Sequence, residues 1–154
     1  MKTIHRDIAS AFIVSADEKL LLGRNKKGGV YQGALVIPGG GIEVGETKLE
    51  ALTREMWEEV KIDIAGANIS ELGESTGESE KYVKDLGEVA LVKMTFFDYL
   101  VRLERVASEI DVTSEDDFEF VGWFPLLELD GLHLGPAPRA TLARKGWVSA
   151  QTQE

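Results

Sequence analysis

Residues 40–62 read GGIEVGETKLEALTREMWEEVKI, and the run that decides most within them is Arg54-Glu55-Met56-Trp57-Glu58-Glu59. Glu55, Glu58 and Glu59 stand at i, i+3 and i+4, so on a helix they share one face. Like charges that close repel. At about 4 Å and an effective dielectric near 20, each unscreened contact costs on the order of 4 kcal/mol. A chain keeps such a cluster cheaply when the face is fully solvated or when a cation sits on it. Three glycines, Gly39-Gly40-Gly41, lead toward this helix. They can take positive φ and approach a ligand with no Cβ in the way, and that neighbour favours the cation.

The helix is expected from Thr47. Thr47-Lys48-Leu49-Glu50 fits a capping box, and Glu46 lies beside the positive N-terminal end. Leu49, Leu52, Met56 and Val60 follow a 3/4/4 spacing that predicts the core stripe. The glutamate face lies next to that stripe, so its carboxylates should rim the core, partly shielded from water.

Outward from the helix, Ile8–Val14 and Lys19–Arg24 read as strands of a hairpin joined by Ala16-Asp17-Glu18. Residues 25–33 form a loop, and Ala34–Ile37 is a short apolar strand stopped by Pro38. Residues 66–88 read as a polar, irregular stretch. Both alternating sets of Val89–Leu103 are largely apolar, which predicts a central strand covered on both faces. Asp98 shares one of those faces with Met94, Phe96 and Leu100, so its carboxylate needs a hydrogen-bond partner or a metal. A further strand is expected over Glu119–Phe124. Pro136 and Pro138 introduce a helix near Ala140–Lys145. No internal repeat appears, so residues 1–154 read as one mixed α/β domain.

Composition narrows the function classes. The chain carries 27 acidic and 17 basic residues, a net charge of −10, which repels nucleic acid and anionic membrane over long range. It has no cysteine, so disulfides, thiolate metal sites and cysteine nucleophiles are excluded. The N-terminus lacks the layout of a signal peptide, and no apolar run nears the roughly 20 residues needed to span a bilayer. These features predict a soluble cytoplasmic protein that takes a small molecule, with neither nucleic acid nor membrane as partner. A homodimer stays open.

The pattern Gly, five residues, Glu, seven residues, Arg-Glu, an aliphatic, one residue, Glu-Glu, one residue, Gly, an aliphatic is the signature of the Nudix hydrolases. Gly40, Glu46, Arg54, Glu55, Met56, Glu58, Glu59 and Ile62 all fall in its register, and on them the chain resembles that family. One position departs: Lys61 stands where the signature has glycine. Either lysine takes the left-handed cap at a cost of roughly 1 kcal/mol, or the helix ends differently. Leu35 stands where many relatives carry tryptophan.

The resemblance implies a Nudix α/β/α sandwich around a mixed sheet. It implies an enzyme that hydrolyses a diphosphate linkage in a nucleoside diphosphate joined to a moiety X, with Mg²⁺ or Mn²⁺. It makes Glu55, Glu58 and Glu59 the metal ligands, completed by a carbonyl of Gly39 or Gly40, with Glu55 or Glu58 as the alternative general base. Arg54 belongs to the same catalytic signature, although its pairing with Glu46 suits a strut between loop and helix. Some relatives add an acid from outside the signature. Asp98 is the first choice here, ahead of Glu115, Asp116, Asp117 and Glu119. Arg24 is expected to meet substrate phosphates together with Gly39 and Gly40, and Lys26 and Lys27 are weaker candidates. Tyr31, Phe96 and Trp123 could stack on a base, although strand aromatics more often serve the core. His5 and His133 show no partner spacing. The competing reading is a Nudix-like nucleotide-sensing domain without catalysis, but such domains commonly lose a signature carboxylate and none is lost here.

Overall fold

The apolar run at residues 8–14 is the inner half of a longer strand, β1 (Lys2–Val14), in the computed structural model, which describes residues 1–26, 33–114 and 117–149. It is followed by β2 (Lys19–Asn25), β3 (Gly39–Gly41), α1 (Lys48–Val60), β4 (Asn68–Val83), β5 (Glu88–Arg102), β6 (Phe118–Pro125) and α2 (Pro136–Lys145). The strands form one mixed sheet in the order β4-β5-β1-β2-β6, with β3 attached to β1 off that path. β1 and β5 run parallel along the whole of β1, from Lys2 beside Ala90 to Val14 beside Arg102.

Strand alternation divides the core. Ala9, Ala11 and Ile13 of β1 pack with Leu52, Met56 and Val60 of α1, whereas Phe12 and Val14 pack with Leu142 of α2. The two helices therefore cover opposite faces of the sheet, and the architecture is the α/β/α sandwich expected. β5 lies inside the sheet, between β4 and β1, and its C-terminal part is buried on both faces, with Tyr99 and Val101 in the α1 core and Leu100 in the α2 core.

Four local expectations need correction. The stretch over residues 66–88 is largely β4, a regular strand paired with β5 through a bulge between Glu71 and Gly73. It looks irregular in the sequence because it is an edge strand with charged, exposed side chains, which also discourage edge-to-edge association. Residues 34–37 make only isolated bridges, Leu35 to Leu134 and Val36 to Gly23. The strand at this point is the glycine run itself, β3, laid antiparallel on Ile8–Ser10. Its glycines do not use positive φ; they are required by crowding, as the site makes clear. Leu49 is 48% exposed and not part of the core stripe, because the helix packs through Ala51, Leu52, Met56 and Val60 and turns Leu49 to its margin.

Candidate active site

The capping box forms as its residues dictate. The Thr47 hydroxyl accepts from the Glu50 N–H at 3.1 Å, and Glu50 accepts from the Thr47 N–H at 2.8 Å. This sets the phase of α1, which in turn decides where the glutamates lie. Glu59 is 9% exposed and Oε1 accepts from the Gly39 N–H at 3.0 Å. The Glu55 side chain is 13% exposed and lies directly on Gly40, so that a methyl group there would overlap its carboxylate. Glu58 is the outer member, with its side chain 46% exposed. A Cβ on Gly39 would meet the Ala9 carbonyl and Ser10 Oγ at 2.8 Å each. Both glycines are thus bare because backbone, sheet and carboxylates converge here.

Arg54 binds the turn to the helix. Its Nε and Nη2 donate to Glu46 at 2.6 and 2.9 Å, and Nη2 also donates to the Gly41 carbonyl at 2.9 Å. Nη1 donates to Glu55 at 2.8 Å and Glu58 at 3.1 Å. The Arg54 guanidinium holds the Glu46 carboxyl down to about 2, and Glu46, then Glu55, keep Arg54 firmly protonated. Glu46 and Arg54 thus act as the strut that their chemistry suggested.

The donor set on this face is entirely oxygen: three carboxylates beside a bare glycine backbone. That suits a hard divalent ion such as Mg²⁺ or Mn²⁺, which takes a few carboxylates and keeps water and phosphate as its other partners. Among the described residues, no three acidic or imidazole side chains stand as a ready-made cage.

Asp98 is not brought to these glutamates. It is 3% exposed, and Oδ2 accepts from Ser75 Oγ at 3.0 Å and from Thr141 Oγ1, on α2, at 2.7 Å. The contact with α2 places it across the sheet from α1. Burial pushes its carboxyl up, while Thr141, Ser75 and Arg144 pull it back. Its apolar setting is therefore answered by hydroxyl donors. Arg24 is exposed at the end of β2, opposite Glu119 of β6, and among the described residues it makes no ion pair with the helix. Phe96 is half-buried, Trp123 packs edge-on to Phe120 at 6.5 Å in the core beside α1, and His5 and His133 are exposed. Lys27, Tyr31, Glu115 and Asp116 lie outside the described residues. Sequence reasoning missed the support given by Ser75 and Thr141, since nothing local links residues 75, 98 and 141.

The NUDIX domain profile matches residues 4–145. The chain is 30% identical over 118 residues to the nucleoside triphosphatase NudI of Enterobacter sp. (strain 638), which covers 77% of this chain and 80% of that protein. NudI of Salmonella newport (strain SL254) is 31% identical over the same shares. Among solved structures, the E. coli dihydroneopterin triphosphate pyrophosphohydrolase aligns with a TM-score of 0.63 at 17% identity, covering 92% of this chain and 96% of that one. The NUDIX domain of Shewanella oneidensis NrtR, crystallised with ADP ribose, aligns with a TM-score of 0.61 at 14% identity, covering 93% and 88%. At such identities the structures establish a shared fold. The chain belongs to the Nudix family, and it is a Nudix pyrophosphohydrolase.

Proposed function

We propose that the chain hydrolyses a nucleoside triphosphate to a nucleoside monophosphate and pyrophosphate, with Mg²⁺ or Mn²⁺ held by Glu55, Glu58, Glu59 and the Gly39 carbonyl. The observation that carries this reading is the convergence of Glu59 on the Gly39 N–H and of Glu55 on Gly40. It puts negative charge against backbone that lacks any side chain to exclude a phosphate. The choice of a triphosphate is supported by the NudI relatives, which are nucleoside triphosphatases by name.

A diphosphate resists hydrolysis because its anionic oxygens repel the attacking water. A bound divalent ion supplies charge neutralisation and a lower pKa for a coordinated water. The chain's own residues do the rest. The attacking water loses its proton to whichever of Glu55 and Glu58 is left out of the ligand set, a new P–O bond forms at one phosphorus, and the bridging P–O bond breaks with its electron pair leaving on pyrophosphate. Arg54 and Glu46 hold the helix against the turn, so that the carboxylates stay in place through the step. Arg24, on the exposed end of β2, offers a cation to the phosphate chain.

The test is a product assay on purified protein with nucleoside triphosphates, nucleotide sugars, ADP-ribose and dinucleoside polyphosphates, in Mg²⁺, Mn²⁺ or chelator. Pyrophosphate release from triphosphates that stops with chelator is the expected result. Turnover confined to nucleotide sugars would overturn the choice of X, and no metal-stimulated turnover of any compound would overturn the reaction.

A further inference from the structure

The guanidinium of Arg54 has two edges with different partners. Nε and Nη2 face Glu46 and the Gly41 carbonyl, the contacts that tie turn to helix. Nη1 points the other way, 3.8 Å from Glu43 and between Glu55 and Glu58 at 2.8 and 3.1 Å. These are two of the three carboxylates assigned above to the metal. We propose that Nη1 of Arg54 is the resident counter-charge of the glutamate face, and that a divalent ion binds by displacing it from Glu55 and Glu58. The contacts to Glu46 and Gly41 persist through that exchange. The inference rests on the metal reading and adds to it a competition built into the chain.

Three observations lead there. Two of the three like charges on one helix face share a cation that also serves Glu46, which relieves part of their repulsion and leaves the face net negative. The oxygens that Nη1 holds, Glu55 Oε2 and Glu58 Oε1, are carboxylate oxygens that an ion on this face would also seek, so ion and guanidinium compete for them. Arg54 is moored by Glu46 and Gly41 independently of Glu55 and Glu58, so that it can release one pair and keep its place. A guanidinium and a divalent ion on the same carboxylate oxygens repel each other, so each weakens the other's hold.

The experiment measures binding and not turnover. Mn²⁺ is titrated calorimetrically into the wild type, Arg54→Gln and Arg54→Lys, with ion-free melting recorded for each. Arg54→Gln should melt lower without the ion yet bind Mn²⁺ about tenfold more tightly, a coupling of ordinary size. Arg54→Lys keeps the charge and should stay near the wild-type affinity. Equal or weaker binding by Arg54→Gln would overturn the competition and leave Arg54 as a strut alone. Should that variant fail to fold, ¹⁵N-arginine spectra of the wild type serve instead, with the Arg54 signals assigned by their loss in Arg54→Lys. Saturation with Mg²⁺ should change the Nη1 environment and spare the Nε–H bonded to Glu46, whereas unchanged Nη signals would overturn the proposal. A wild type that binds neither ion overturns the metal reading itself, a different result from binding without competition.

Discussion

Glu59 serves fold and chemistry with one carboxylate, since it is buried and holds the Gly39 N–H. Glu59→Gln keeps an oxygen for that N–H but removes the charge. We expect kcat to fall by about 100-fold or more while the melting temperature moves little, because the lost charge acts on the ion and the phosphate. Steady-state kinetics beside thermal melts would check it, and near-wild-type turnover in Mg²⁺ would remove Glu59 from the site. Gly40→Ala tests the packing of the same site: its methyl would push on the Glu55 carboxylate, with an expected loss of about 1–3 kcal/mol in chemical denaturation. Asp98→Asn should leave metal-dependent kcat within about twofold, because Ser75 and Thr141 already answer its carboxylate across the sheet from α1. A large drop in that rate would return Asp98 to the catalytic set.

Helix α1 was readable from the sequence because every local signal agrees: the capping box, the apolar repeat and the acidic first turn all point to the same start. Its end was not readable, since the sequence allowed either a left-handed lysine or a different ending. Lys61 takes the left-handed conformation, φ 57° and ψ 37°, in the place where the family has glycine. Its ammonium lies 5.3 Å from the centre of the Trp57 ring, which offsets part of the cost. Lys61→Gly should therefore stabilise the chain by about 1 kcal/mol or less in denaturant titrations. β4 was not readable, because an edge strand takes its conformation from pairing with β5 and keeps a polar surface that no alternation betrays. β3 was missed for a related reason: three glycines have no strand propensity, and only the neighbouring backbone of β1 extends them. The glutamates were legible because their spacing is local to one helix. The Asp98 contacts were not, since they join β4, β5 and α2.

Across the molecule, two carboxyls should give acid stability opposite slopes. Glu46 has an ordinary value of 4.5 and is held down to about 2 by Arg54, so its contribution is complete above 4.5 and is lost as the pH falls toward 2. Asp98 is raised above its ordinary 3.8 by burial, so its folded form prefers the proton and its contribution declines as the pH climbs past 3.8. Melting curves against pH should thus show a shallower acid limb in Glu46→Gln, with Asp17 and Asp130, also held low, supplying what remains. In Asp98→Asn they should lose the decline on the other side. No helix is long and apolar enough to cross a membrane among the described residues. The parallel pairing of β1 with β5 carries one more consequence, for the order of assembly. Lys2 finds its partner at Ala90 and Val14 at Arg102, so the centre of the sheet cannot close while the ribosome is still making the middle of the chain. The glutamate helix emerges long before the strand that completes the sheet beneath it, and so non-local a pairing slows folding. A newborn chain will carry its acidic face, with Arg54 among the carboxylates, well before it has a sheet on which to use it.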